Sequence, residues 1–525
     1  MSALPCPTVV EPFAAAEQEF GTITTFLRSR EACSLTHSDL ERTLEVRGRE
    51  LLRTLLQGHL DLRRPGEAAG PVRDADGVTR SRERLHDRDL ESIFGTVTVS
   101  RTGYGAEGTT SLHPLDGELN LPIDKYSHEV RRRVAIEAAK RAFDEGVKTL
   151  EVYTGAHVPK RQLEELVVRA AQDFDAFYEA RQTFARAAPR TAPILVLTVD
   201  GKGVVMRPED LRAPTRRAAA TRAETFTAPR LGRGRRLHAK RMASVAAVYT
   251  IQPFVRTPEE ILPPPGTTVE LPARPRPEHK RVWASLEHTP EDVITAMFDE
   301  AEHRDPTHHK TWVAVVDGNL PQLDRLQQLA TQRHVDLLLV VDFIQVAQYV
   351  WGAALAFFPE DRAHQDRWVR THLLEILRGK ASGVAAGMRR SATLRAMSAA
   401  DRQPVDACAD YLLDYAAYLM YDKALAHGLP IASGVIEGAC RHLVNDRMNL
   451  TGARWSLQGA EAVLRLRAVR SSDDFDDYWE FHERQEYERN HAAHDADRHV
   501  PATVPPTPSK PHRRHSTLKI VKNKK

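Results

Sequence analysis

The chain has 525 residues, 42% of them hydrophobic and 6% aromatic, and a formal net charge of +3, the composition of a soluble globular protein with room for two to four domains. No run of about 18 apolar residues occurs, which argues against a transmembrane helix; the N-terminal MSALPCPTVVEPF has no basic start ahead of an apolar core, so no secretory signal is expected. Cys6, Cys33, Cys408 and Cys440 form no C-x-x-C pair, which argues against a zinc site and a disulfide framework and fits a reducing cytoplasm.

In chain order, residues 12–60 read as helical, with Ser38-Asp39-Leu40-Glu41 as a capping box ahead of Leu40, Leu44, Leu51 and Leu55. Residues 61–90 are polar and charged and read as a linker. TVTVS at 96–100 alternates as a strand does, and Gly103, Gly105 and Gly108 suggest a turn after it. Ser127 is placed to cap a helix running to about Asp144. Residues 146–171, GVKTLEVYTGAHVPKRQLEELVVRAA, hold two short apolar patterns on either side of Thr154-Gly155. They are a helix-turn-helix candidate that would turn Lys160, Arg161 and Arg169 toward DNA, and an ordinary helical hairpin fits them equally well. A further helix is expected over 173–190.

ILVLTVDGKG at 194–203 is a short continuous apolar run ending in Asp200, the pattern of a buried strand, with two glycines around Lys202 after it. WVAVVDGN at 312–319 repeats the arrangement and ends in Asp317. Between them SVAAVYTI at 244–251 reads as a strand, the proline-bearing stretch 258–280 as a loop, and 290–304 as a helix; after Asp317 come a helix over 320–334 and an apolar run at 335–341 ending in Asp342. The order strand, strand, helix, strand, helix, strand is a mixed α/β layer architecture. Residues 346–428 are helical in pattern, and IASGVIEGACRHLVNDRMNLTGARW at 431–455 follows, with Glu437 and Arg441 four apart on one expected helix face.

Charge is unevenly spread. Residues 212–241 hold ten Lys/Arg against Glu224 alone, and residues 498–525 hold eight Lys/Arg and no acid. Two basic segments on an acidic remainder point to a polyanion, most simply nucleic acid, with Arg233, Arg235 and Arg236 as phosphate contacts; solvated arms are the alternative. Residues 500–525 are Pro-rich, then basic, and read as disordered. Two strands that each end in an aspartate can set two carboxylates side by side, an ordinary way to hold Mg²⁺. With Glu437 as a third acid, two ions can clamp both oxygens of an in-line phosphoryl displacement.

At these residues the chain resembles bacterial insertion-sequence transposases of the DDE type, most closely the Kra-type insertion-sequence family. The stretches that carry the resemblance are TVDGKGVVMR at 198–207, ASVAAVYTIQPFVRTPE at 243–259, VVDGN at 315–319, VDFIQVAQYVWGAA at 341–354 and the 431–455 segment. It spans about 195–470 and is most specific in the pattern SG-x-x-EG-x-C followed by R-x-x-x-x-G-x-RW. The resemblance implies a ribonuclease-H-like core at 191–345 and 431–498, split by a helical insertion at 346–430. Ahead of it, it implies a mostly α DNA-binding region with a small β element: 1–60 helical, 61–125 linker and small β element, 126–190 helical. A basic tail at 499–525 follows. It further implies Asp200, Asp317 and Glu437 as catalytic acids and Mg²⁺ or Mn²⁺ ligands. The partners it implies are double-stranded DNA at element ends and target, contacted also through Lys202, Arg441, Arg447, Arg454 and Trp455, by a homodimer or higher oligomer in the nucleoid-bearing cytoplasm. One departure stands out: where such enzymes commonly carry Asp-x-x-His, this chain has Asp342-Phe343-Ile344-Gln345, and Gln345 does not titrate. Asp342 is the alternative second acid, and Asp317 is preferred because Asp342 runs straight into a helix with an aromatic face. Core packing is the other reading of Trp455, and structural pairing the other reading of the three arginines. A metal-dependent endonuclease and a catalytically inactive DNA-binding regulator are the competing functions.

Overall fold

The structure, a computed structural model, describes residues 11–183, 191–224, 239–267, 272–450 and 452–505. It divides into two compact units: residues 1–133, 147–158 and 483–525 form the smaller, and 134–146 and 159–482 the larger.

In the smaller unit the helices Ala14–Leu27 and His37–Leu62 pack on one another. The long helix is capped by Thr36, whose hydroxyl accepts from the Asp39 amide at 3.2 Å, so the cap sits two residues before the expected Ser38. The expected linker at 61–90 is in part a strand. β1 (Arg82–Ser92) pairs antiparallel along its whole length with β2 (Gly95–Gly105), so Gly103 and Gly105 lie inside a strand and not in a turn. The inner face of this hairpin, with Leu90, Val97 and Val99, is buried with Leu115 and Leu121. The far end of the chain closes the unit. Backbone bonds run from Ala69 N to Ala502 O (2.8 Å), Val504 N to Glu67 O (2.7 Å), Ala75 N to His494 O and Ala496 N to Arg73 O (both 3.0 Å). Buried Arg131 donates to Glu486 at 2.8 Å.

The larger unit is built on a five-stranded mixed sheet in the order β5-β4-β3-β6-β7. β3 (Ile194–Val205) pairs antiparallel with β4 (Lys240–Ile251), β4 with β5 (Glu278–Ser285) likewise, while β6 (Thr311–Val316) and β7 (Leu337–Val341) continue the sheet in parallel. Consecutive residues of β3, β4 and β6 are buried, the mark of strands covered on both faces. The sheet has one strand more than expected: β5 lies at the end of the proline-bearing stretch read as a loop. Helix Pro290–Arg304 packs on β4 and β3, and helix Leu457–Ser471 on β5.

The stretch at 346–428 is a set of separate helices, Arg362–Leu377, Ala381–Leu394, Ala399–Asp414 and Tyr421–Ala426, entered through helix Phe343–Phe357. Within it the sequence YLLDYAAYLMYDKAL at 411–425, helical in pattern, is broken after Asp414 by a 3₁₀ turn at Ala416–Tyr418.

The residues of the helix-turn-helix candidate fall in both units. Its helices Phe143–Tyr153 and Lys160–Ala170 form where the pattern placed them, but residues 147–158 belong to the smaller unit and 159–171 to the larger. The turn is tied to the smaller unit by Gly155 N donating to Ile93 O at 2.8 Å and Arg49 to Thr154 O at 3.0 Å. The second helix buries Leu163, Leu166, Val167 and Ala170 and packs on helix Leu457–Ser471 in the larger unit.

Candidate active site

Three aspartates stand in line at one edge of the sheet. The parallel pairing of β3 with β6 runs from Ile194↔Thr311 to Leu197↔Ala314; the same offset carried three residues further sets Asp200 against Asp317. The pairing of β6 with β7 ends at Val316↔Val341, and one residue on sets Asp317 against Asp342. The parallel ladder stops at Leu197, but β3 runs on through Asp200 to Val205 paired with β4, so Asp200 lies within its strand while Asp317 and Asp342 directly follow the ends of theirs.

Asp317 feels both neighbours. Loss of solvation at the strand ends, and then the charges of Asp200 and Asp342, hold its carboxyl above the usual aspartate range, against the Asn319 amide that donates to Oδ1 at 3.1 Å. The residue itself is exposed. Asp200 is half-buried. Its Oδ1 accepts from the Gly201 amide at 2.6 Å and its Oδ2 from the buried thiol of Cys440 at 3.2 Å. Burial, and then the neighbouring Asp200 charge, push that thiol far up, so it stays a donor.

Asp342 is 8% exposed and fully engaged. Its Oδ1 accepts from Ile344 N at 2.7 Å, capping helix Phe343–Phe357, and its Oδ2 accepts from Ser433 N at 2.9 Å and from the Ser433 hydroxyl. Ser433 opens the short helix Gly434–Ala439 that carries Glu437, and that helix packs on β3 and β4. Asp342 thus joins the end of β7 to the entry of the Glu437 helix.

Glu437 is exposed, and its charge reaches Cys440 along with those of Asp200 and Lys202. The expected helical face shared by Glu437 and Arg441 is interrupted, because Cys440–Asn445 is a π-helix. Such wide turns change side-chain phase within an otherwise α-helical run. Among the described residues no three His, Cys, Asp or Glu side chains stand close enough to hold one ion together. The aspartates are brought together; Glu437 is near Asp200 through Cys440 but not gathered with them.

The basic and aromatic candidates separate by burial. Trp455 is 6% exposed; its indole N–H donates to Met448 O at 3.1 Å, and its backbone bridges to the end of β3 through Trp455 N to Val205 O at 3.1 Å and Arg207 N to Trp455 O at 2.8 Å. Arg447, 2% exposed, lies over the Trp455 and Phe143 rings at 4.7 and 4.8 Å and donates to Ala138 O at 2.9 Å. Burial, and then Arg467, lower its pKa to about 10. Both are interior residues here, and neither offers a surface to a base or phosphate, which corrects their expected place at the DNA interface. Arg441 and Arg454 are exposed, Arg441 lying 3.9 Å from Asp446. Exposed Lys160 bonds Asp144 at 2.8 Å and exposed Arg161 bonds Glu165 at 3.3 Å; Arg169 is exposed and Lys202 half-buried. Arg233, Arg235 and Arg236 lie outside the described residues, as do residues 506–525 of the basic tail.

Sequence reasoning gave Ser433 only the opening of the Glu437 helix and Cys440 no role, although both stand inside the quoted SG-x-x-EG-x-C pattern. The bonds of Tyr411 and Tyr415, which reach the Asp317 loop from the helical stretch, had only their i, i+4 spacing as a signal.

No protein-family model and no curated protein matches the chain. Among solved structures it is similar to the Drosophila P element transposase strand transfer complex at 9% identity, over 68% of this chain and 80% of that one, with a TM-score of 0.25; a likeness that slight carries no argument.

Proposed function

We propose that the chain is a DNA transposase that cleaves and joins phosphodiester strands at the ends of its insertion sequence, on a ribonuclease-H-like core. The observation that carries this reading is the alignment of Asp200 and Asp317 on adjacent parallel strands, near enough for the Asp200 charge to act on Asp317. The sheet order, three antiparallel strands continued by two parallel ones, agrees with such a core. The motif at 431–455 agrees as well, since its serine, glutamate and cysteine fall on the path from Asp342 to Asp200.

Two carboxylates held together against their repulsion fit a divalent cation, which is bound through one or two carboxylates and substrate phosphate oxygens. Asp200 and Asp317 would hold it, and when bound it supplies charge neutralisation to the phosphate under attack. Cys440 and Gly201 orient the Asp200 carboxylate, the Asn319 amide orients that of Asp317, and Glu437 is proposed as the third acid. Asp317 is preferred to Asp342 as the second acid because Asp342 is buried and its carboxylate ties β7 to the entry of the Glu437 helix, whereas Asp317 is open to solvent.

The test is cleavage of DNA bearing the inverted repeats that flank the gene, in Mg²⁺ or Mn²⁺. Asp200→Asn, Asp317→Asn and Glu437→Gln are each expected to lower cleavage by about 10²-fold or more while DNA binding persists. Full activity in Asp317→Asn would refute the assignment of the second acid. Cleavage without any requirement for paired ends would favour a metal-dependent endonuclease.

A further inference from the structure

We infer that the helical stretch inserted between β7 and the Glu437 helix holds the second acid in place, and that Tyr411 and Tyr415 are positioning residues for Asp317; this rests on the function proposed above. The chain turns sharply after Asp317, where Gly318 takes φ +91°, a conformation few side chains tolerate. A turn of this kind at a strand end leaves its carbonyls without sheet partners. Two of them, in succession, are met from the insertion. The Tyr411 hydroxyl donates to Asp317 O at 3.3 Å and the Tyr415 hydroxyl to Gly318 O at 2.5 Å.

The donors are themselves held. Tyr349, from helix Phe343–Phe357, stacks on Tyr411 with centroids 4.0 Å apart and planes 17° apart, and Tyr411 lies 4.6 Å from Tyr415. A Cβ at Gly318 would come within 3.0 Å of the Tyr411 oxygen and 3.4 Å of the Tyr415 ring, so the rings press directly on the turn. Tyr411 and Tyr415 are 8% and 9% exposed. Phenylalanines would fill this space equally well. The two hydroxyls add aim: they fix the two peptide groups that flank the Gly318 Cα, directly after the acid. Positioning of this kind matters because a displacement of about 1 Å at a reacting group can cost about 10²-fold in rate.

Tyr421 supplies the control. Its hydroxyl, from the same insertion, donates to Val341 O at 2.7 Å, one strand away from Asp317. The experiment compares the full-length protein with Tyr411→Phe/Tyr415→Phe and with Tyr421→Phe. Hydrogen exchange is followed by mass spectrometry at the Gly318 and Asn319 amides, and cleavage is titrated with Mn²⁺. Because the Asn319 amide bonds the Asp317 carboxylate, its exchange reports on that carboxylate directly. The expected result is exchange about 10-fold faster in the double variant only, with about 10-fold more Mn²⁺ needed for half-maximal cleavage and an unchanged midpoint of thermal unfolding. Unchanged exchange in the double variant overturns the inference, as does an equal increase in Tyr421→Phe, which would mean general loosening. If the wild type cleaves no DNA, the proposed function falls, and the exchange comparison still decides whether the tyrosines hold Asp317.

Discussion

Glu300 shows how far a single buried charge depends on its partners. It is 7% exposed and receives Arg281 at 2.5 Å and Arg304 at 2.7 Å. Burial alone would raise its pKa, but the two guanidinium charges and their hydrogen bonds bring it down to about 2. A carboxylate whose folded pKa lies below its unfolded value stabilises the fold above the unfolded value, near 4.5, and loses that contribution as pH falls toward 2. Acid unfolding is therefore expected to steepen between pH 4.5 and 2. Arg281→Ala leaves the charge half-paired and is expected to cost about 3–5 kcal/mol at neutral pH, measured by urea denaturation. Arg281→Ala/Glu300→Gln should recover part of that loss; no recovery would mean that Arg281 acts through its stacking on Tyr178, 3.5 Å from the ring centroid. At this scale the sequence was informative where a residue closes an apolar run, as Asp200 and Asp317 do. It was poor where chemistry depends on burial: Arg447 and Trp455 occur in a charged, glycine-bearing stretch that left exposed and packed readings open, and their packing with one another and with Phe143 is a contact between distant segments.

Elements were legible in proportion to their apolar periodicity. The runs forming β3, β4 and β6 stood out because strands covered on both faces need apolar residues at nearly every position, and β7 because its five residues are all apolar although Leu338 is exposed. β1 was missed because RERLHDRDLES alternates charges with few apolar residues and is mostly exposed; β5 was missed because its first residues, Glu-His-Lys, follow prolines. The hairpin these signals hid also explains the glycine at the supposed helix-turn-helix turn. A Cβ on Gly155 would fall 2.5 Å from the backbone of Phe94 at the β1–β2 turn, and backbone cannot yield as a side-chain tip can. Gly155→Ala is expected to destabilise the protein by about 1–3 kcal/mol through this clash, read as a lower midpoint in chemical denaturation. A change within 0.5 kcal/mol would show that the hairpin turn shifts freely. Glycine here serves close approach between two elements.

For the whole molecule, the path of the chain matters more than any element. The smaller unit draws on residues 11–133, 147–158 and 483–505 of the described chain, so an N-terminal fragment ending at residue 190 lacks the strand-like partners of Glu67, Ala69, Arg73 and Ala75 and the acid paired with Arg131. Such a fragment is expected to bind hydrophobic dyes and to unfold without a cooperative transition, while the full chain shows one. A sharp transition in the fragment would show that residues 483–505 only decorate a fold already complete. The composition gave no warning of this closure, because contacts between distant segments leave no local pattern.

That closure sets an order of events at the ribosome. At roughly 5–20 residues per second, the residues that finish the smaller unit emerge some tens of seconds after its β-hairpin. In that interval the hairpin's apolar face has only its local neighbours to cover it, and the sheet carrying Asp200 and Asp317 is made first to completion. A chain halted after β7 and before residue 483 would therefore carry both aspartates on a finished sheet and lack a finished N-terminal unit. If that unit recognises DNA ends, early termination yields molecules with the acids but without their guide.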